Sequence, residues 1–172
     1  QARAMSIGAI GAYHTLLTNY SSMLKNEITY GKDFVRDGRL VAISSVLTGK
    51  SNYSWVAKKF KDLKVDTVID LGCGSGDIII DFCKRHNSFN GIGLDIDPAA
   101  IKVAEENVKQ NNLNSRIELI TGDMLEPKTY SHKITSKGDK VAFNAIMALH
   151  EFLRDGEEAV INILKKMKKE FP

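Results

Sequence analysis

The chain has 172 residues, of which 43% are hydrophobic and 26% charged, with a formal net charge of +3. That length suits a single domain on the usual scale of roughly 100–200 residues, and the balance excludes a disordered or fibrous chain. Apolar runs such as Ile78 to Ile80 and Val141 to Phe143 fall far short of the roughly 20 residues that span a bilayer, so no membrane partner is expected. Residues Gln1 to Ile10 lack the charged start and apolar core of a secretory leader, and a charge of +3 makes no general electrostatic case for nucleic acid. Cys73 and Cys83 are too few for a disulfide framework and lack metal-type spacing. A reduced, cytoplasmic setting is the expectation.

In chain order, Tyr13, Leu16, Leu17, Tyr20 and Leu24 follow the spacing of one buried helix face. Leu40 to Leu47 and Trp55 to Leu63 suit short helices. Residues 1–63 thus read as a helical N-terminal segment, and residues 64–172 as the core, with a different pattern. Thr67 to Leu71 is a β-branched run ending in glycines, which suits a strand buried on both faces. Asp77 to His86 reads as a helix with Ile78, Ile79 and Phe82 inward, and Phe89 to Asp95 as a second strand. Asp97-Pro98 then suits a helix start, with Asp97 as cap and Pro98 in the first position. That helix runs to about Asn111 and carries Ile101, Ala104, Glu105 and Val108 in helical spacing. Arg116 to Ile120 and Lys140 to Ile146 are the third and fourth strands. Asp155-x-x-Glu158 reads as a capping box for a last helix with the stripe Val160, Ile163, Leu164 and Met167. The lysines at its end, Lys165 to Lys169, complement the helix dipole.

Strands alternating with helices of this length predict an α/β fold, a doubly wound, mostly parallel, Rossmann-like sheet in three layers. Ligands of such folds bind outside the carboxyl ends of the strands. The turn after the first strand reads Asp70-Leu71-Gly72-Cys73-Gly74-Ser75-Gly76-Asp77. Glycines at alternate positions let the backbone turn tightly and approach a ligand. The dinucleotide pattern GxGxxG fails in both registers, at Asp77 and at Ile79, and no Gly-Lys-Ser/Thr follows. Asp70 and Asp77 flank the turn, and like charges a few ångströms apart cost on the order of 1–4 kcal/mol. A pyrophosphate meets repulsion there; a ligand with ammonium and sulfonium groups meets attraction.

Val68 to Gly76 resembles the first signature motif of the class I S-adenosylmethionine-dependent methyltransferases. Gly91-Ile92-Gly93-Leu94-Asp95-Ile96-Asp97 resembles the second-strand motif, with Asp95 placed 23 residues after Gly72. A carboxylate there can accept from two ribose hydroxyls at once. Thr121-Gly122-Asp123-Met124 resembles the stretch that brackets the adenine, and Phe143-Asn144-Ala145 falls where the fourth strand ends near the methionine moiety. The resemblance implies S-adenosyl-L-methionine as cofactor, held by Asp70, Gly72, Gly74, Gly76, Asp95, Ile96, Asp123, Met124 and Asn144.

Ala148 to Leu153 resembles the His-Asp-Trp segment of small-molecule O-methyltransferases, which implies His150 as general base for the accepting hydroxyl, with Glu151 beside it. Methyl transfer is an in-line displacement in which the protein mainly supplies alignment, with a base where the nucleophile is an alcohol or phenol. The departure is Glu151-Phe152 in place of Asp-Trp. It points to an alternative, the enzymes that methylate carbon of a 2-oxo acid, some of which use a metal on the histidine and its neighbouring carboxylate. Adjacent residues on a helix face different ways and a third ligand is not identifiable, so no metal site is assigned. A non-catalytic interaction module is the third alternative. The resemblance further implies a small-molecule substrate and a homodimer or lid through the N-terminal helices, near Arg36-Asp37-Gly38. The family's sheet has seven strands; four are legible here before Phe171-Pro172, so the expectation is part of a longer chain, with Val141, Phe143 and Ile146 on an apolar sheet edge.

Overall fold

The computed structural model describes residues 6–48, 53–134, 140–146 and 148–171. The chain divides into two compact units, residues 1–51 and 52–172. The first holds a wide π-type turn, Ser6–Ala12, and helices α1 (His14–Thr18), α2 (Tyr20–Leu24) and α3 (Gly38–Thr48). The expected single helix over Tyr13 to Leu24 is broken at Asn19. Its side chain donates to the Thr15 carbonyl at 2.8 Å, beside its own backbone N–H, and the Thr18 hydroxyl donates to the His14 carbonyl at 3.0 Å. The expected buried face is not buried: Leu17, Tyr20 and Leu24 are all exposed. Within this unit Arg36 donates to the Tyr13 hydroxyl at 2.8 Å, and the Asp37 carboxylate accepts from the Leu40 N–H at 3.0 Å, which fastens the start of α3.

The second unit runs α4 (Ser54–Asp62), β1 (Thr67–Leu71), α5 (Asp77–Arg85), β2 (Asn90–Asp95), α6 (Pro98–Gln110), β3 (Ile117–Thr121), α7 (Ser131–Ile134), β4 (Val141–Asn144) and α8 (Glu157–Glu170). Tight 3₁₀ turns occupy Pro127–Thr129 and Leu149–Asp155. Among the described residues the four strands are all parallel, in the order β3-β2-β1-β4. The register pairs Asp70 with Gly93 on one side and with Asn144 on the other. Strand order therefore reverses beside β1, and its carboxyl end is where such a sheet opens a crevice.

Alternate residues of each strand feed two cores. Val68 and Ile117 join Val56 and Ala57 of α4, Ile79, Phe82 and Cys83 of α5 and Val108 of α6 on one face. Ile69, Leu71, Ile92, Leu94 and Ile120 join Ile134 of α7 and Ile163 and Met167 of α8 on the other. These are the three layers expected. Asp97 accepts from the Ala99 N–H at 2.8 Å with Pro98 in the first helical position, as the sequence implies. The last helix differs: its cap is Gly156 rather than Asp155, and Leu164 of its stripe is exposed while Ile163 and Met167 are buried. Val141, Phe143 and Ile146 are half-buried, not bare: Phe171 folds back with its ring 4.9 Å from that of Phe143, and Ile146 packs against the other core. No helix among the described residues is long and apolar enough to cross a membrane.

Candidate functional site

The turn between β1 and α5 is built on three glycines with left-handed backbone, Gly72 (φ 71°), Gly74 (φ 54°) and Gly76 (φ 77°). Such angles are strained for residues with a Cβ. Gly72 is also crowded: a Cβ there would lie 2.9 Å from that of Ala148 and 3.6 Å from the Met124 Cε. The turns after β1, β3 and β4 therefore converge on one glycine. A Cβ at Gly74 would meet nothing within 4 Å, so this side of the turn faces open space.

Asp95 holds the turn in place. Its Oδ2 accepts from the Gly74 N–H at 2.8 Å and its Oδ1 from the Asp97 N–H at 2.9 Å. One carboxylate at the head of β2 thus links the glycine turn to the start of α6. Behind the turn, the Ser75 carbonyl accepts from the Asn107 side chain at 3.0 Å, and the Ser75 hydroxyl donates to Asp77 at 3.0 Å. Gly93 allows the turn to sit low on the sheet, since a Cβ there would lie 2.9 Å from the Cys73 sulfur.

Asp70 closes the floor. It is 1% exposed, and its Oδ1 accepts from the Asn144 amide at 2.5 Å. Its Oδ2 is buried with no hydrogen-bond partner among the described residues. Burial raises its pKa to about 7; the Asn144 hydrogen bond works against the rise, and the like charges of Asp95 and Asp77 add to it. Asp70 is therefore not the permanent negative charge that its place beside the turn implies: the fold puts it where ionisation is expensive. Burial also raises Asp77 from the ordinary carboxylate value, against its Ser75 hydrogen bond, and holds the Cys73 thiol well above its own.

Asp123 accepts from the Leu125 N–H at 2.8 Å, which shapes the turn that presents Met124 to Gly72. The Met124 carbonyl is held from below by the buried Tyr130 hydroxyl at 3.2 Å. Ile96 is 67% exposed beyond the end of β2. His150 and Glu151 lie in the 3₁₀ turn that begins just after Ala148. Their side chains are about half exposed, with His150 Nε2 3.8 Å from Glu151 Oε1. The expectation that neighbours on a helix diverge is corrected: both lean out of one tight turn, and the glutamate chain reaches across. Among the described residues no cluster of three His, Cys, Asp or Glu could hold a metal ion.

Asn107 and Tyr130 escape a motif-based reading, since they support the site through the Ser75 and Met124 carbonyls. Asn107 was the more visible of them, as a polar residue between the buried Ala104 and Val108 on α6.

Comparison with known proteins bears on the same residues. A family model described as a methyltransferase domain matches residues 62–170. The methyltransferase ungE' of Aspergillus campestris is 30% identical over 114 residues, covering 64% of this chain and 33% of that protein. The ribosomal protein L11 methyltransferase of Lachnospira eligens is 39% identical over 64 residues, 37% of this chain and 20% of that protein. Among solved structures, the mitomycin 7-O-methyltransferase MmcR is similar in fold, with a TM-score of 0.54 at 20% identity over 75% of this chain and 34% of that one. The chain spans only a fifth to two fifths of the length of these and other curated relatives. The family match takes in more than half of the residues, including β1 to β4 and the whole glycine turn, and with it the chain belongs to the class I S-adenosylmethionine-dependent methyltransferases.

Proposed function

We propose that this chain binds S-adenosyl-L-methionine over the Gly72–Gly76 turn and transfers its methyl group to a small-molecule acceptor, at oxygen, with His150 as general base. The observation that carries the reading is a glycine turn open at Gly74, with the Asp95 carboxylate on its backbone, Asp77 at its far end and Asp70 buried in its floor. Those residues fit the ligand's chemistry: the open backbone admits close approach, and carboxylates suit both a cation and a pair of hydroxyls. When bound, the cofactor supplies a methyl carbon activated by its sulfonium. Asp95 keeps the turn shaped and has lone pairs left for hydroxyls beyond the two N–H groups it already serves. Met124 and exposed Ile96 offer apolar surface for an adenine, with Asp123 beside them for its amine. Asn144 fixes Asp70. The half-exposed imidazole of His150, in the turn after Ala148, is free of the core and supports proton abstraction from an incoming hydroxyl.

The approach of His150 to Glu151 favours a second reading, in which the pair contributes to a metal that assists carbon methylation of a 2-oxo acid. Turnover abolished by chelation and restored by iron or zinc selects that reading; turnover indifferent to chelators selects the first. The exposed Leu17, Tyr20 and Leu24 support association of two copies through the N-terminal helices, which light scattering of wild type and Leu17→Ser/Leu24→Ser tests directly. For the central reading, isothermal titration with S-adenosylmethionine should give one site per chain. Asp95→Ala should weaken it at least tenfold with the circular dichroism spectrum unchanged; unaltered affinity would remove Asp95 from the site.

A further inference from the structure

Asp70 combines three features that a structural carboxylate does not need. It lies at the head of the strand where the sheet order reverses. One oxygen is committed to Asn144 on β4, and the other is buried with no hydrogen-bond donor among the described residues. The charged groups that act on it are Asp95 from β2 and Asp77 from α5, both of its own sign, while the nearby Cys73 thiol is held neutral by burial. Only the Asn144 amide favours its ionised form, and one hydrogen bond does not make up for burying a lone charge. A cation arriving over the turn would reverse that balance.

We propose that Asp70 is the residue by which the site registers ligand charge: it carries a proton in the free protein and yields it when a cation binds, so that binding of S-adenosylmethionine releases a proton to solvent. The inference rests on the proposed cofactor reading and adds a proton to its binding reaction. The balance is simple. Asp70 goes from carboxylic acid to carboxylate, the O–H bond breaks, the proton passes to buffer, and the carboxylate is left facing the ligand's positive charge. Ionisation centred near pH 7 sets the scale. Roughly nine-tenths of a proton leaves at pH 6, about half at pH 7 and about a tenth at pH 8, and apparent affinity falls about tenfold per unit of pH below 7. Affinity thus rises with pH up to about 8 and then levels.

The test compares the intact chain with Asp70→Asn, which keeps the side-chain shape and cannot ionise. Calorimetric titration with S-adenosylmethionine in buffers of different ionisation enthalpy counts the protons released, and the difference between the two proteins cancels those of the ligand itself. The proposal expects wild type to release about half a proton more at pH 7 and nearly one more at pH 6. Equal counts overturn it. A second readout needs no ligand: the side-chain carbon of ¹³C-labelled Asp70 should titrate near pH 7 in the free protein, and its midpoint should rise in Asn144→Ala. A carboxyl ionised throughout pH 5–8 overturns the proposal even if the cofactor binds. Absence of any cofactor binding overturns instead the cofactor reading, and the carbon titration still judges whether Asp70 holds its proton.

Discussion

Gly72 shows how much a single position can be asked to do. Its left-handed backbone and the 2.9 Å approach to the Ala148 Cβ leave no room for a side chain in either sense. Gly72→Ala should destabilise the protein by about 1–3 kcal/mol and weaken cofactor binding, read by chemical denaturation and by calorimetry. Gly74, whose Cβ would enter open space, separates the two effects: Gly74→Ala carries backbone strain without the clash, so its larger consequence should be for the ligand. His150 makes the complementary case. It is half exposed and clear of the glycine turn's hydrogen bonds, so His150→Ala should leave cofactor affinity within a few-fold and depress turnover by about 10²–10⁴. Unchanged turnover would release His150 from the mechanism.

At the scale of elements, the caps and turns carry the argument. Asp97 accepts the Ala99 N–H at the start of α6 while its own N–H donates to Asp95, so cap and site share a joint. Asp97→Ala should cost about 1 kcal/mol, seen as a lower denaturation midpoint with an unchanged slope. Arg116 performs a similar task at the opposite end of the sheet. Its guanidinium donates to the carbonyls of Cys83, His86 and Phe89, which ties off the end of α5 before β2 begins.

The strands, Asp97 and the glycine turn were legible because each depends on local chemistry: β-branched runs, a cap beside proline, and alternate glycines. The helical stripe of Leu17, Tyr20 and Leu24 was legible as a period but not as burial, since periodicity says which side chains share a face and nothing of what covers it. The interruption of that helix at Asn19 falls inside the apolar period, which does not register it. His150 and Glu151 met because a tight turn replaced the assumed α-helix.

For the whole molecule, the electrostatics of Asp70 reach beyond the site. Its pKa is raised in the folded protein, from the ordinary carboxylate value to about 7. Between those two values the folded state binds a proton that the unfolded chain does not. Stability from this group is therefore present at acid pH and is lost as pH rises from about 4 through about 7. Asp70→Asn removes the titration, so its stability advantage over wild type should grow by up to a few kcal/mol between pH 5 and pH 8, as urea denaturation at each pH would report. An advantage that is flat across that range would show that Asp70 is ionised throughout. Buried charge of this kind is a cost to the fold, and in the proposed reading the cationic cofactor offsets it.

The proposal that the acidic, glycine-lined head of β1 receives S-adenosylmethionine is tested most directly by calorimetric titration at pH 8, where Asp70 is ionised, with NAD and ATP as competitors. The account predicts a single site for S-adenosylmethionine, weakened at least tenfold in Asp95→Ala and undisturbed by either nucleotide. Heat from NAD or ATP alone, with none from S-adenosylmethionine, would contradict it.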